Sequence, residues 1–106
     1  MSTLIGPVAI EGGSDNAVSA ALSLTSPANG FVLTIESTND DPITGLDVTV
    51  ATSLDGVNYG SAEVVADFPS GSAQATVNAP GATTAIVTVT NRDISPATVT
   101  VIAEEF

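Results

Sequence analysis

Among the side chains that commonly take part in catalysis or metal binding, only carboxylates are numerous in this sequence. The 106 residues include 12 Asp and Glu, one basic residue (Arg92) and no Cys, His or Trp. A pair of carboxylates could act as acid and base on a glycosidic bond. Clustered carboxylates could instead bind Ca²⁺ through hard oxygen ligands. Mechanisms that require His, Cys or Lys are excluded.

The acidic residues do not form a catalytic pattern. They are spread over turns and outward strand positions, and only three Phe and one Tyr could wall a substrate cleft. The chain is also short for a substrate groove. We therefore predict that the protein is not an enzyme and has no catalytic residues.

The densest acidic segment is Asn39-Asp40-Asp41, which Asp47 or Asp55 could complete as a set of oxygen ligands for Ca²⁺. The spacing is not that of an EF-hand, and Asp-Asp-Pro is also ordinary turn chemistry. We predict a turn here and no cofactor, with Ca²⁺ as the alternative.

The formal net charge of −11 restricts the partners. Arg92 alone could neutralise phosphates, so nucleic-acid binding is not expected. The acidity opposes docking to anionic membranes, and no apolar run approaches the roughly 20 residues of a membrane span. The N-terminus has no basic segment followed by an apolar run, so we expect synthesis in the cytoplasm without a signal peptide.

Period-two alternation in β-branched runs is the dominant structural signal, and Gly, Pro, Asn and Asp interrupt it every 8 to 12 residues. About eight short strands are expected. Their alternating pattern predicts antiparallel sheets with one wet face each. The predicted fold is all-β: a single antiparallel β-sandwich, jelly-roll or Ig-like, over residues 17–106, preceded by an N-terminal strand or arm over residues 1–16.

Two pairings follow from the pattern. Asp55-Gly56 suits a two-residue hairpin turn, which would place Leu54 opposite Val57 and Thr52 opposite Tyr59. A bulge at Gly60 would then leave Glu63 and Asp67 in water. The inward set of the returning strand would be Ala62, Val64, Ala66 and Phe68.

The last two strands can also be matched to each other. Pairing Val89 with Val99 buries both apolar rows and sets Ile86 opposite Ile102 on the outer face. Two facing isoleucines among threonines predict a contact patch. The alternative is that a neighbouring loop or the N-terminal arm covers them.

The segment Ser53-Leu54-Asp55-Gly56-Val57-Asn58-Tyr59 resembles the Ser-x-Asp-Gly-x-x-aromatic hairpin of β-sandwich modules. These include discoidin-like domains, carbohydrate-binding domains and virion proteins of tailed bacteriophages. Residues 87–102 look like the close of such modules. Among them, we expect a virion structural protein of the capsid decoration (cement) type. Structurally, the motif is also simply a good hairpin.

This resemblance implies partners and a location. Such proteins sit as homo-oligomers, often trimers, on the capsid surface, and they clamp the major capsid protein or another virion protein after synthesis in the host cytoplasm. Residues 2–13 would be a candidate arm, although they could equally be the first strand of the sandwich itself. The candidate interface residues are Leu4, Ile5, Val8, Ile10, Ile86, Arg92 and Ile102.

Two alternatives remain open. Arg92 could anchor a partner's carboxylate or pair locally with Asp93 or Glu104. The alternative function is a carbohydrate-binding or adhesin-like module of a tail, fibre or cell surface. Exposure of Tyr59 beside a calcium-loaded acidic loop would favour that function.

Overall fold

The computed structural model describes residues 2–13, 15–25, 29–39, 45–68, 71–92 and 95–106, and for residues 2, 39 and 68 it describes the backbone only. Within these residues there are eight strands and no helix. The strands are β1 (Ser2–Ile10), β2 (Asn16–Ser23), β3 (Gly30–Asn39), β4 (Leu46–Ser53), β5 (Glu63–Phe68), β6 (Gly71–Asn78), β7 (Thr84–Asn91) and β8 (Ala97–Glu105).

The strands form two four-stranded sheets in the orders β1-β8-β3-β6 and β2-β7-β4-β5. Every neighbouring pair is antiparallel. This arrangement confirms the predicted all-β sandwich. The first strand lies beside the last one, and the chain crosses between sheets at every connection except β4 to β5. The order is therefore that of a jelly roll, one of the two predicted topologies.

The core lies between the sheets and consists of the inward rows that the alternation identified. Val87 and Val89 of β7 and Val99 and Val101 of β8 are completely buried. Each such side chain contributes about 1.5–3 kcal/mol relative to an exposed one. Phe31, also fully buried, is the largest side chain among them.

Among the residues that the structure describes, one polar side chain is completely buried in this core. Asn91, the last residue of β7, donates from Nδ2 to the backbone carbonyls of Ile10 (2.9 Å) and Ser95 (3.0 Å). Ile10 ends β1 in the opposite sheet, so the amide links the two sheets at this end of the sandwich.

The predicted pairing of the last two strands is wrong. β7 lies between β2 and β4, whereas β8 lies between β1 and β3 in the other sheet. Ile86 is therefore beside Ala21 and Ala51, while Ile102 is beside Thr3 and Thr34. The facing isoleucine patch does not form, because the two residues lie on the outer faces of opposite sheets.

The predicted two-residue turn at Asp55-Gly56 is also wrong. Ser53 pairs with Tyr59, and five residues separate them. Only Gly56 of the predicted turn has a positive φ (79°), whereas the two-residue turn requires it at both positions.

The returning strand shifts register twice. One extra residue lies between the Ser53–Tyr59 bridge and the Val50–Glu63 pair, in the region of the predicted bulge at Gly60. A second lies at Val65, because Val48 pairs with Ala66 and Thr49 pairs with Val64. Glu63 and Asp67 are exposed, as predicted. Ala66 packs on the core, but Val64 is 61% exposed.

Residues 2–10 form an edge strand of their own sandwich, paired with β8. Ile5 and Ile10 are only 5% and 3% exposed, and Leu4 and Val8 pack partly against the core. In this structure Ile5 and Ile10 are core residues and are not presented to a partner. The register shifts twice around Ile5, beside Gly6-Pro7, where proline has no N–H to donate to a ladder.

Candidate functional site

The most elaborate local structure is the loop of residues 54–58, which follows β4. Its base is fixed on both sides. Gly60 N–H donates to the Thr52 carbonyl (3.0 Å), and Thr83 N–H donates to the Ser53 carbonyl (2.8 Å). The second bond ties the loop to the segment that enters β7, so its base cannot move independently of the sheet.

Asp55 organises the interior of the loop. Its Oδ1 accepts from the backbone N–H groups of Val57 and Asn58, both at 2.8 Å, and its Oδ2 accepts from Asn58 Nδ2 at 2.7 Å. The Ser53 hydroxyl donates to Oδ1 (3.0 Å) and accepts from the Gly56 N–H (2.9 Å). Bonds from Asn58, Val57 and Ser53 hold the pKa of Asp55 far below its ordinary value.

This framework presents two aliphatic side chains to solvent. Leu54 is 71% exposed and Val57 is 77% exposed. Because the carboxylate satisfies the loop's own N–H groups, the backbone is ordered without burying either side chain. The result is a preorganised apolar tip, and preorganisation lowers the entropy cost of binding.

A third exposed apolar side chain lies at the same end of the sandwich. Phe106 is 51% exposed, and its N–H donates to the Gly30 carbonyl (3.1 Å) at the start of β3. Glu105 fixes the segment that follows β2, because its carboxylate accepts hydrogen bonds from Thr25 N–H (2.6 Å) and Thr25 Oγ1 (3.0 Å). We call this end, with Leu54, Val57 and Phe106, the apolar end.

A second feature, the edge groove, lies where edge strands β5 and β6 of the two sheets meet. It encloses about 300 Å³, at the lower limit of small-ligand clefts, which span about 300–1,000 Å³. Three valines supply its apolar surface, while hydroxyl, amide and carboxylate groups supply its polar one. The lining residues are Val50, Thr52, Gly60, Ser61, Glu63, Val65, Val77 and Asn78.

Arg92 lies at the opposite end of β4 from the groove. Its Nη1 forms an ion pair with Asp47 Oδ2 at 2.9 Å. Asp47 is directly opposite Asp67 in the β4–β5 ladder, a like-charge pair that is unfavourable by itself. The hydrogen bond and charge of Asp47, followed by the charges of Asp67 and Asp15, raise the pKa of Arg92.

Arg92 therefore pairs within the chain, with Asp47. Asp93 lies outside the described residues, and Asp47 was not considered because the sequence separates it from Arg92 by 45 positions. The structure does not bring the predicted interface residues together: Ile86, Ile102 and Arg92 lie on different parts of the surface.

Neither the apolar tip nor the groove was predicted from the sequence. The available signal was the Ser53-x-Asp55 pair, whose short polar side chains readily bond to backbone N–H groups nearby. The predicted two-residue turn did not include hydrogen bonds between the side chains of Ser53 and Asp55 and the backbone of the loop. The groove had no sequence signal, because its residues come from three strands and a loop.

The remaining predictions concern metals and membranes. Asp40 and Asp41 of the calcium alternative lie outside the described residues. Among those that the structure describes, no group of three or more His, Cys, Asp or Glu is placed to hold a metal ion. In the same part of the chain, no helix has the length and hydropathy needed to cross a membrane.

Comparison with known proteins shows similarity of fold. No protein-family model and no curated protein sequence matches the chain. The structure is similar to an enzymatically active domain of bacteriophage CBA120 tailspike protein 4, with a TM-score of 0.61 and 12% identity over 85% of this chain. The match spans only 14% of the tailspike chain's length.

Two further structures match over nearly the whole chain. The pre-peptidase C-terminal domain of a Bacillus anthracis collagenase has a TM-score of 0.59 and 18% identity, with 98% of this chain and 90% of that domain covered. The Yersinia pseudotuberculosis-derived mitogen has a TM-score of 0.58 and 10% identity, with 97% and 86% covered. The chain is thus a β-sandwich module, a class that includes part of a phage tailspike.

Proposed function

We propose that this protein is a non-catalytic virion structural protein of a tailed bacteriophage, and specifically a capsid decoration protein that stabilises the assembled head. The apolar end is the observation that carries the proposal. Leu54 and Val57 are held in water by an ordered loop, which suits residues that become buried only when a partner docks. In a loop that binds no partner, we would expect polar side chains at these exposed positions.

Two further observations support the phage assignment. The motif of residues 53–59 resembles hairpins of virion β-sandwich proteins, and the fold is similar to a domain of a phage tailspike. The partner in this proposal is the major capsid protein or another virion protein. The protein acts as a homo-oligomer, with a trimer favoured, on the capsid surface.

Stabilisation follows from mass action. A protein that binds the assembled lattice but not free subunits shifts the equilibrium towards the lattice. Several copies linked in one oligomer bind more tightly than one copy, because the second contact becomes intramolecular. The net charge of −11 keeps unbound copies dispersed until a lattice is available.

Co-sedimentation with purified capsids of the phage that encodes the chain tests the proposal, together with the mass of the free protein in solution. We expect an oligomer that sediments with the capsids and raises their melting temperature. A monomer that ignores capsids but is retarded in a polysaccharide gel would instead favour a carbohydrate-binding or adhesin-like module. The hydroxyl, amide and carboxylate groups of the edge groove suit that alternative, whereas the half-buried Tyr59 does not.

The apolar end can be tested directly with the double variant Leu54→Ser/Val57→Ser. Capsid affinity should fall by about tenfold or more, which corresponds to 1.4 kcal/mol. Both side chains are mostly exposed, so the melting temperature should change little. Val64→Ser is the matched control, since Val64 is a 61% exposed aliphatic residue outside the loop. An equal loss in both variants would contradict docking through this end.

A further inference from the structure

We infer that the edge groove is a receptor for a basic side chain, arginine or lysine, carried by the protein partner. The inference deepens the proposed function, on which it rests only in taking the partner to be a protein. It concerns a different surface from the apolar end.

The groove matches the two parts of such a side chain. Val50, Val65 and Val77 give an apolar wall for the methylene stem, which long basic side chains bury along apolar surfaces. Glu63 lines the same groove and can accept charge-assisted hydrogen bonds from the cationic head. The hydroxyls of Thr52 and Ser61 and the Asn78 amide oxygen add neutral acceptors.

Charge decides between the possible occupants. Arg92–Asp47 is the one ion pair among the described residues, so the Glu63 carboxylate has no cation within that part of the chain. Together with the net charge of −11, it makes the groove repel anions and attract cations. A neutral ligand would leave this carboxylate uncompensated when water is displaced.

The occupant also cannot come from a second copy of this chain at low cost. Arg92 is the only basic side chain in the sequence, and it already bonds to Asp47. Withdrawing it would leave Asp47 and Asp67 facing each other across the ladder. The basic residue must therefore belong to a different protein.

The location allows a partner's main chain to approach. Within the described part of the chain, β5 and β6 are the outer strands of their sheets, and each has one side without a neighbouring strand. An extended segment can lie along such an edge and use the backbone groups there. The basic side chain of that segment would then enter the groove between the two edges.

Titration of the isotope-labelled protein with short capped peptides tests the inference by NMR. The probes are acetyl-Ala-Arg-Ala-amide, its Lys equivalent and its Gln equivalent. The Arg and Lys peptides should shift the amide signals of groove residues such as Ser61, Val65 and Val77. The Gln peptide should not, and added salt should weaken the binding that occurs.

Two variants that remove one charge each separate the groove from the charge of the whole molecule. Glu63→Gln should weaken binding of the Arg peptide by about fivefold or more, because it removes a charged acceptor. Glu104→Gln, an exposed residue outside the groove, should leave it unchanged. Ser61→Phe, which fills the groove while leaving Glu63 in place, should abolish the shifts.

Equal effects of Glu63→Gln and Glu104→Gln on binding of the Arg peptide would overturn the inference. Equal binding of the Gln and Arg peptides would also overturn it. The inference would also fail if neutral oligosaccharides, but not the Arg peptide, shifted the amide signals of the groove residues. Glu63→Gln is also taken through the capsid assay. If capsids bind the wild type and this variant equally, the groove inference fails while the proposed function stands. If capsids do not bind the wild type, the proposed function fails whatever the peptide titrations show.

Discussion

Replacing Asn91 by Leu tests whether one buried amide links the two sheets at the end of β7. The side chain is completely buried, and its Nδ2 bonds to two backbone carbonyls. Leucine has a similar volume but donates no hydrogen bond. The substitution therefore removes the hydrogen bonds to the Ile10 and Ser95 carbonyls.

The expected loss follows from these two groups. Removing one partner of a buried hydrogen bond costs about 1–3 kcal/mol. The bond to Ile10 is buried and its loss should cost more, while the bond to Ser95 is only partly buried and its loss should cost less. We expect a decrease of about 2–4 kcal/mol in the free energy of unfolding. For a domain of this size, that corresponds to a fall in melting temperature of roughly 10–20 °C.

Urea and thermal unfolding followed by circular dichroism measure this quantity. Asn16→Leu is a matched control, because Asn16 pairs with Asn91 in the β2–β7 ladder and also donates to a carbonyl, that of Glu11 (3.0 Å), but is exposed. It should change stability by about 0.5 kcal/mol or less. A loss below about 1 kcal/mol for Asn91→Leu, or equal losses for the two variants, would refute the reasoning.

Three further predictions concern single contacts. Because the pKa of Asp55 is depressed, its bonds should stabilise the loop fully above about pH 4 and be lost only as the pH falls from there through the folded value. Carboxyl NMR shifts and amide exchange of the loop would show this, and loop protection lost by pH 5 would contradict it. Arg92→Met should lower the melting temperature most at low salt, because Asp47 then faces Asp67 unscreened; adding Asp67→Asn should restore part of it. Phe31→Ala should cost about 3–5 kcal/mol in urea unfolding, and a loss under 1 kcal/mol would mean that this completely buried ring packs poorly.

The distribution of surface groups gives the molecule two unlike ends. Arg92, Asp47, Asp67 and Asp15 interact near the start of β4. Leu54, Val57 and Phe106 are exposed at the other end. In the proposed function the apolar end meets the capsid, while the charged end faces solvent.

Only some of the acidic strand residues lie on edge strands, where they could prevent pairing with another sheet. Glu63 and Asp67 lie on β5, an edge strand, where charge discourages pairing with another sheet. Glu36 and Asp47 lie on β3 and β4, which already have neighbours on both sides. Their charges act on the outer sheet faces instead.

The alternation of apolar and polar residues predicts the buried side of most strands, although on β5 the predicted inward residue Val64 is exposed. Period-two alternation fixes the inward row whatever the neighbouring strand is, so the rows of Val89 and Val99 were assigned to the core correctly. The same reasoning yielded the sandwich class. It also left Glu63 and Asp67 in water.

The identity of neighbouring strands and the residues exposed on their loops depend instead on tertiary contacts. Val87 and Val101 would bury the same apolar rows in a hairpin or in facing sheets, so the pattern could not choose between them. The crossing connections of the jelly roll placed β7 and β8 in different sheets and separated Ile86 from Ile102. Likewise, the hydrogen bonds of Asp55 set the loop conformation, and the meeting of β5 with β6 created the groove. Such features depend on contacts distant in sequence, which local pattern does not encode.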